Sequence, residues 1–431
     1  MSTIFNKEIC DKFFDMRAQR RIDLISLGDS NELFGGHGRN HGWGYAFATA
    51  GVPIYRTELI SAAEGQNLGS NLGYRCNHPA DSGRLNRYRS APADLDMYMP
   101  DQGNYQDESG QWAPPHNYWY LAAGDSYVAG NMGLTVNAAH PLGVDTNLRG
   151  HFIYAELKEA GTGAIRPLIR RGSSPFTELA LASAVINPAG KSENRIVRTT
   201  LDVAAAVRGY DIQVRWHNGA NPVVGPMMQL YQWLESVDKT TGIGIHTLLG
   251  RGGQGYPHYL TSLRRSPKAT KLFLEEATYG QNVPVSQRVA LISLNSGLNE
   301  TTMVGKPSVG PIGGLASGTA AGFADNLAGM ILYFEQVWAL MGGARQNLYF
   351  CLFDSTPTAN PDSASLISYR DESRKLCRRY QNCFEVDLTF EQPTIETNAA
   401  AWYNSSGADR FHMTQTGYQE VFNLAVTRML A

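Results

Sequence analysis

The sequence predicts an α/β protein whose parallel sheet is assembled from the two ends of the chain, with a mostly β domain inserted between them. Two observations support this fold class. Near both ends, five short apolar segments alternate with helical segments, as in a parallel sheet that helices cover on both faces. In the middle, apolar and polar residues alternate with a period of two, as in antiparallel strands with one solvated face. A chain of 431 residues is long enough for two such domains.

The chain begins with a predicted strand, turn and helix. The apolar segment IDLISL at 22–27 predicts a buried strand, and a polar stretch beginning GDSNE follows it. The next predicted helix spans 40–50, with Trp43, Phe47 and Ala50 on its apolar face, and a glycine follows its end. This order is the start of an α/β unit.

The sequence pattern of residues 76–237 differs from the strand–helix alternation of the two flanking parts. It predicts an inserted β-rich domain, a sandwich or jelly roll. The segments 151–157 and 194–203 resemble strands, and between 210 and 217 Tyr, Ile, Val and Trp alternate with polar residues. We expect this domain to interrupt the α/β domain. The two parts of the α/β domain are then 1–75 and 238–431.

The alternation of strands and helices resumes after residue 238. The predicted strands are 242–249, 288–294, 347–353 and 383–388. The predicted helices are 257–278, 319–341, 363–380 and 414–430. With the first strand, these four complete a five-stranded parallel sheet. Cys351 lies inside one strand, where a cysteine behaves as a small buried hydrophobe. Ligands of such sheets bind beyond the carboxyl ends of the strands.

The composition excludes several classes of protein. A net charge of −2 provides no basic field to replace the counterions of a nucleic acid, so we expect no nucleic-acid partner. The five cysteines are odd in number and include no CxxC pair. This argues against a zinc ribbon and against a dense disulfide framework.

No segment predicts export or membrane insertion. The N-terminal residues carry charges throughout and lack the apolar run of a signal peptide. The longest apolar stretch, LAGMILYFEQVWALMGG, is interrupted by Glu335 and Gln336 and is too short to cross a bilayer. We therefore expect a protein of the cytoplasm, or a component of a virion or other particle, with no membrane partner; a mature secreted form stays open. Homo-oligomerisation stays open.

Four short motifs lie at predicted strand ends or just before the last helix. They are GDS at 28–30, GRGGQG at 250–255, GLN at 297–299 and DRFH at 409–412. Each motif alone favours an ordinary turn or cap, but the set matches what a nucleophilic serine needs. A serine needs a neighbouring base, and a histidine base needs an orienting carboxylate. The oxyanion that forms is stabilised by a backbone N–H of a glycine turn or by an Asn amide.

The order of these motifs resembles the four sequence blocks of the SGNH/GDSL hydrolases, with a large β-rich insertion between the first two blocks. The resemblance implies a flavodoxin-like three-layer core and no metal or organic cofactor. It implies Ser30 as the nucleophile, His412 as the base and Asp409 as the carboxylate that orients the base. It also implies an oxyanion hole formed by the N–H groups of Ser30 and Gly253 and by the side-chain amide of Asn299.

The predicted function is that of a serine ester hydrolase that works through an acyl-enzyme. The favoured substrate is a carbohydrate O-acetyl ester, either a small molecule or a polysaccharide, because the insert is aromatic and polar. The expected substrate-binding residues are Asn31, Gln254, Trp112 and Trp119. One alternative is a lipid or thioester hydrolase, or an acyltransferase, with the same site. Another is a glycan-binding or structural particle component with a hydrolase-like core.

Three further patterns in the sequence have simpler interpretations or stay ambiguous. His37 and His41 have the i, i+4 spacing of some metal sites, but no third ligand accompanies them, so we predict no metal site. The aromatic residues within 112–120 either stack on sugar rings or pack inside the β domain. In the glycine turn, Gly252 and Gly255 stay open as alternative oxyanion donors.

Overall fold

The computed structural model describes most of the two ends of the chain and parts of its middle. The described residues are 4–28, 42–59, 119–121, 126–127, 132–136, 147–171, 177–204, 212–217, 223–250, 255–264, 267–296, 319–354, 363–388 and 413–431.

Strands and helices are numbered in chain order. The strands are β1 (Ile4–Phe5), β2 (Arg21–Gly28), β3 (Ile54–Leu59), β4 (Trp119–Leu121), β5 (Ser126–Tyr127), β6 (Met132–Val136), β7 (Asn147–Glu156), β8 (Arg166–Arg171), β9 (Thr177–Leu181), β10 (Arg195–Ala204), β11 (Ile212–His217), β12 (Val223–Val224), β13 (Met227–Ser236), β14 (Gly242–Gly250), β15 (Ala290–Ser296), β16 (Leu348–Asp354) and β17 (Cys383–Asp387). The α-helices are α1 (Lys7–Asp15), α2 (Trp43–Thr49), α3 (Tyr256–Arg264), α4 (Pro267–Ala277), α5 (Ala320–Leu340), α6 (Ser363–Arg379) and α7 (Gln415–Leu430).

The chain divides into two compact units. The first unit comprises Met1–Ile54, Tyr105–Pro115 and Thr241–Ala431, and the second comprises Tyr55–Asn104 and His116–Thr240. The described part of the first unit is mixed α/β and contains all the helices named above. The described part of the second unit contains strands but no α-helix.

The sheet of the first unit has the strand order β1-β17-β16-β15-β2-β14. The five longer strands run parallel to one another, whereas β1 pairs antiparallel with β17. Numbering the parallel strands along the chain gives the order 2-1-3-4-5, which is the order of flavodoxin-like doubly wound sheets. The five predicted strands and their parallel pairing are therefore confirmed.

Helices cover both faces of this sheet. On one face α1, α2 and α7 contact one another, and their buried side chains form one cluster with alternate residues of the strands, including Phe384 and Val386 of β17. Side chains alternate between faces along a strand. Glu385 and Asp387 accordingly lie on the other face, where Arg374 of α6 donates to them at 2.7 and 2.6 Å. Helix α5 contacts α3, α4 and α6.

Two helical predictions need correction. The predicted helix over 257–278 is two helices, α3 and α4, because Pro267 begins α4 and a proline without an N–H belongs in a first helical turn. In α2, Ala50 is exposed and caps the helix, and Ala46 joins Trp43 and Phe47 in the buried face instead. The remaining predicted helices of the first unit agree with α5, α6 and α7 to within two residues at each end.

Helix α1 and strand β1 were not predicted. Helix α1 buries Cys10, Phe13 and Phe14, whose spacing of three and four residues is the signature of one helical face. The many charges around these residues hid that pattern. Strand β1 has only two residues, too few for any periodic signal.

The second unit is built from antiparallel ladders. In one sheet the strands β3, β13, β7 and β10 are neighbours in this order, with β4 also paired to β13, and another sheet has the order β6-β11-β8-β9. The two sheets meet where Gly150 of β7 faces Ile169 of β8, because a Cβ at Gly150 would lie 2.8 Å from Ile169 Cδ1. The strands predicted at 151–157, 194–203 and 210–217 correspond to β7, β10 and β11.

Among the described helices, none is both long enough and apolar enough to cross a membrane. Cys351 is 1% exposed in β16, as predicted for a core hydrophobe.

Candidate functional site

Three neighbouring strands of the first unit end side by side. Gly28, the last residue of β2, is in register with Gly250 of β14 on one side and with Asn295 of β15 on the other. Neighbouring strands lie about 4.8 Å apart. The three chain segments that follow these strands therefore leave the sheet within about 10 Å of one another.

The strand order makes this the expected place for a ligand. Strands β2 and β15 are neighbours at the position where the order 2-1-3-4-5 reverses, and doubly wound sheets bind ligands at that switch point, beyond the carboxyl ends of the strands. We call the ends of β2, β14 and β15, at Gly28, Gly250 and Asn295, the carboxyl edge.

Helix α3 is hydrogen-bonded to the end of β2. The hydroxyl of Tyr259 donates to the backbone oxygen of Gly28, and the Tyr259 side chain is fully buried. Within α3, the N–H of Tyr259 donates to the backbone oxygen of Gly255 at 3.3 Å. One tyrosine thus joins the last residue of β2 to the first turn of the helix that follows the glycine-rich segment.

Helix α7 begins at the same edge of the sheet. Its Phe422 stacks on Phe353, which lies near the carboxyl end of β16 and opposite Asn295 in the ladder. Near the other end of α7, the backbone oxygen of Met429 accepts from the thiol of Cys10 at 3.5 Å. Helix α1 packs against the amino-terminal half of β16, so the end of α7 that contacts α1 lies toward the amino-terminal ends of the strands. Helix α7 therefore runs antiparallel to the strands.

The first turn of α7 is well fixed. Thr414 caps the helix, and its hydroxyl accepts from the N–H of Gly417 at 3.1 Å. The Nε2 of Gln419 donates to the hydroxyl of Tyr45 in α2 at 3.1 Å, and the Trp43 ring of α2 lies 4.8 Å from that of Phe422. The first two turns of α7 are therefore held against α2.

Most predicted site residues lie outside the described residues. These residues are Ser30, Asn31, Trp112, Gly253, Gln254, Asn299, Asp409 and His412. The remaining one, Trp119, lies in β4 of the second unit, opposite Gln229 of β13 in the ladder. His37, His41 and Gly252 are also outside the described part. Of the alternative glycines, Gly255 is described and is buried directly before α3.

The first unit also contains a buried acid–imidazole pair that the sequence analysis missed. His246 Nε2 and Asp23 Oδ1 are 2.8 Å apart, and both side chains are fully buried. Gln281 Nε2 donates to the other oxygen of Asp23 at 2.7 Å. A Cβ at Gly244 would collide with the Asp23 carboxylate, which closes the pair from that side.

This pair lies far below the carboxyl edge. Asp23 precedes Gly28 by five residues along β2, which corresponds to about 16 Å at 3.3 Å per residue. Gln281 also exchanges two hydrogen bonds with the backbone of Val289, so the network ties β2, β14 and the start of β15 together. Its role is structural. No spacing in the sequence could have found it, since its members come from three separate segments.

The second unit has a comparable buried cluster. His151 Nε2 and Glu235 Oε2 are 2.9 Å apart, and Arg56 Nη1 is 3.9 Å from the same Glu235 oxygen. Burial, and then the charge of Arg56, lower the pKa of His151 from 6.5 to about 4. His151 is therefore neutral at pH 7 and donates its Nε2–H to Glu235.

The described residues contain no group of three or more His, Cys, Asp or Glu side chains that could hold a metal ion. Tyr259 is the residue at the carboxyl edge that the sequence analysis did not select. The only available signal was an aromatic residue in the first turn after a glycine-rich segment, and this is common in helices that pack on a sheet.

Comparisons with known proteins give low similarities. No family model and no curated protein sequence matches the chain. Among solved structures, the chain is similar to a peptidoglycan O-acetylesterase, with 11% identity, 99% of this chain and 98% of that chain covered, and a TM-score of 0.48. It is similar to a salicylyl-acyltransferase from a tetracycline biosynthetic pathway, with 13% identity, 73% and 94% covered, and a TM-score of 0.28.

A third similar structure is a family two carbohydrate esterase from Cellvibrio japonicus, with 10% identity, 73% of this chain and 96% of that chain covered, and a TM-score of 0.28. At these identities and TM-scores, such likenesses do not assign a function to this chain. Its function has to be inferred from its own residues and strand order.

Proposed function

We propose that the chain is a serine ester hydrolase of the SGNH type, with its site at the carboxyl edge of the first unit. The register of Gly28, Gly250 and Asn295 carries this proposal. Ser30, Gly253 and Asn299 follow these strand ends by two, three and four residues. Four residues span at most about 14 Å. Segments that start within about 10 Å of one another are therefore long enough for their side chains to meet.

The orientation of α7 supports the same proposal for the other two residues. Asp409 and His412 precede Gln415, the first residue of α7, by six and three residues. Since α7 runs antiparallel to the strands, its first turn lies at the edge where Ser30 follows β2. A hydroxyl near the start of the chain and an imidazole near its end then belong to one site.

The proposed reaction follows from the roles of these side chains. The Ser30 hydroxyl attacks the acyl carbonyl and passes its proton to His412, which Asp409 orients and whose charged form Asp409 stabilises. The N–H groups of Ser30 and Gly253 and the amide of Asn299 donate to the oxyanion. His412 then protonates the leaving alcohol, which leaves an acyl-enzyme. Water activated by His412 releases the acid.

The proposed substrate is a carbohydrate O-acetyl ester. The support is compositional: residues 76–150 of the predicted insert are rich in Trp, Tyr, Asn and Asp, residues that stack on sugar rings or bind hydroxyl groups. We propose Asn31, Gln254, Trp112 and Trp119 as substrate-binding residues. We also propose that the insert is a separate carbohydrate-binding domain.

An assay with three substrate classes tests the proposed function. Wild-type protein and Ser30→Ala are compared on an O-acetylated oligosaccharide, a long-chain acyl ester and an acyl thioester, each with and without an added acceptor alcohol. We expect release of acetate from the oligosaccharide by the wild type alone. Preference for the long-chain ester or thioester, or transfer to the alcohol, would reassign the substrate but keep the site.

The same assay distinguishes the non-enzymatic alternative. A wild-type protein that hydrolyses none of the esters, yet binds the oligosaccharide as tightly as Ser30→Ala does, would contradict the hydrolase proposal. That result would identify a binding protein or structural component on a hydrolase-like core.

A further inference from the structure

Two cysteines of the first unit lie against each other. The sulfur atoms of Cys377, near the end of α6, and Cys383, the first residue of β17, are 3.4 Å apart. Both residues are buried free thiols. The sulfur of Cys10, another buried thiol, instead contacts a backbone oxygen, that of Met429. A sulfur–sulfur contact of this length needs only small side-chain rotations to become a bond of about 2.05 Å.

The backbone around the pair is held from both sides. Asn6 Nδ2 donates to the backbone oxygens of both Cys377 and Cys383, each at 2.9 Å. Between the cysteines, the backbone oxygen of Asn382 accepts from the N–H of Phe350 in β16 at 2.8 Å. These bonds fix the end of α6 and the start of β17 relative to each other. The two sulfur atoms therefore stay close in the folded protein.

We propose that Cys377 and Cys383 are a disulfide-forming pair that a small disulfide such as oxidised glutathione converts to an intramolecular bridge. One cysteine thiolate attacks the glutathione disulfide and releases reduced glutathione. The second thiolate then attacks the mixed disulfide and releases another reduced glutathione. The two cysteines lose two protons and two electrons in total, and the glutathione disulfide gains both.

The environment of the pair determines how the bridge forms. Burial, and then the neighbouring thiol of Cys383, raise the pKa of Cys377, so at neutral pH it is a protonated thiol shielded from solvent. The exchange therefore proceeds through opened or refolding chains, and the folded state then keeps the bond. The bridge closes a loop of seven residues, 377–383. Loop-closure entropy predicts that it favours folding about 50-fold.

Trypsin provides a direct readout of this bridge. Arg378 and Arg379 lie between the two cysteines, so complete digestion separates peptide 376–378 from peptide 380–410. The full-length protein is unfolded in urea, refolded in a buffer of oxidised and reduced glutathione, alkylated, digested and analysed by mass spectrometry. We expect peptides 376–378 and 380–410 to be recovered joined. Reduction before alkylation should separate them.

Two variants and a second route to the same thiol–disulfide equilibrium serve as controls for this experiment. Cys10→Ser, which removes another buried thiol, should leave the linked peptides unchanged, whereas Cys383→Ser should abolish them. The same mixture is also reached from the folded side, by long incubation of native protein in the glutathione buffer with urea below its unfolding midpoint. Recovery of both cysteines as thiols by both routes, or of either one bridged to a different cysteine, would overturn the proposal. The proposal is independent of the proposed hydrolase function.

Discussion

The carboxyl edge and the Asp23–His246 pair are two polar regions of one sheet that differ in a way that separates chemistry from structure. The pair already has an acid and an imidazole at 2.8 Å. It is nevertheless closed, because Gln281 takes the second carboxylate oxygen and Gly244 leaves no space beside it. At the edge, three strands end in register, and we propose that the residues following them supply the reacting groups.

The difference teaches that an acid–imidazole contact is neither sufficient nor decisive evidence for a catalytic site. The position of a polar group along a parallel strand is better evidence that it belongs to a binding site, because ligands bind beyond the carboxyl ends and not between the strands. The comparison yields testable consequences: changes at the edge should alter turnover, and changes at the buried pair should alter stability.

The largest expected effect is on turnover. Ser30→Ala should reduce kcat by about 10⁴-fold or more, since removing a nucleophile leaves only binding and oxyanion stabilisation. Ser26 is a matched control in the same strand; it is fully buried, and its hydroxyl has no hydrogen-bond partner among the described residues. Ser26→Ala should leave kcat unchanged. Steady-state kinetics on the preferred ester measure both, and equal activities would contradict the proposed nucleophile.

The next effect is on stability and comes from the closed pair. Asp23→Ala should lower the free energy of unfolding by about 3–5 kcal/mol, because it removes one partner of a fully buried, hydrogen-bonded pair. The kcat of the protein that remains folded should not change. The control Asp371→Ala removes a carboxylate from an exposed contact with Arg370 and should cost less than about 1 kcal/mol. Urea denaturation gives both values, and a loss of kcat in folded Asp23→Ala would break the comparison.

A pH effect extends the comparison to the acid–imidazole pair of the second unit. Because the pKa of His151 falls from 6.5 to about 4 on folding, the unfolded chain binds a proton between these values and the folded chain does not. The contribution of His151 to the free energy of unfolding is therefore fully present above pH 6.5. It is lost as the pH falls to about 4, which lowers the free energy of unfolding by about 3 kcal/mol in all.

Hydrogen exchange in β7 and β13 reports this loss locally. Protection in the wild type should decrease between pH 6.5 and pH 4 after correction for the intrinsic exchange rates. The variant His151→Gln keeps a donor for Glu235 but does not titrate, so its protection should depend less on pH over the same range. Parallel pH profiles in the two proteins would refute the assignment to His151.

The smallest expected effect sharpens the role of Tyr259. Tyr259→Phe removes the hydroxyl that donates to the backbone oxygen of Gly28, two residues before Ser30. We expect kcat to fall about fivefold with KM unchanged, since a net hydrogen bond contributes about 1 kcal/mol. The control Tyr333→Phe also removes a buried hydroxyl that donates to a backbone oxygen, that of Leu263, at 2.7 Å. The Tyr333 hydroxyl has a further hydrogen-bond partner in α4, so this variant should lower the free energy of unfolding by about 1 kcal/mol or more without changing kcat. Equal kcat values in the two variants would leave Tyr259 a purely structural role.

The sequence predicted most of the first unit because its strands are short, apolar and separated by helices. The pattern could not reveal α1, whose buried Phe13 and Phe14 stand among charges, or the break before Pro267 inside a continuous helical pattern. The register that aligns Gly28 with Gly250 could not be predicted either, because it depends on how two strands more than two hundred residues apart pair.

The sequence predicts the candidate site as a set of residue types in a fixed order, but it does not predict the geometry of that site. Ser30 and His412 were selected because a serine nucleophile needs a base, and their mutual distance stays a prediction. Tyr259 and the Asp23–His246 pair could not be selected, since hydrogen bonds between distant segments leave no periodic trace in the sequence.

Covalent labelling tests the central claim most directly. Wild-type protein is treated with a fluorophosphonate, which modifies activated serines, and the modified peptide is located by mass spectrometry. We expect the probe to modify Ser30 in the wild type. The folded fraction of Asp23→Ala should be labelled at the wild-type rate, and His412→Ala at a strongly reduced rate. Labelling of Ser30 at the wild-type rate in His412→Ala, or labelling of a different serine, would contradict the central claim.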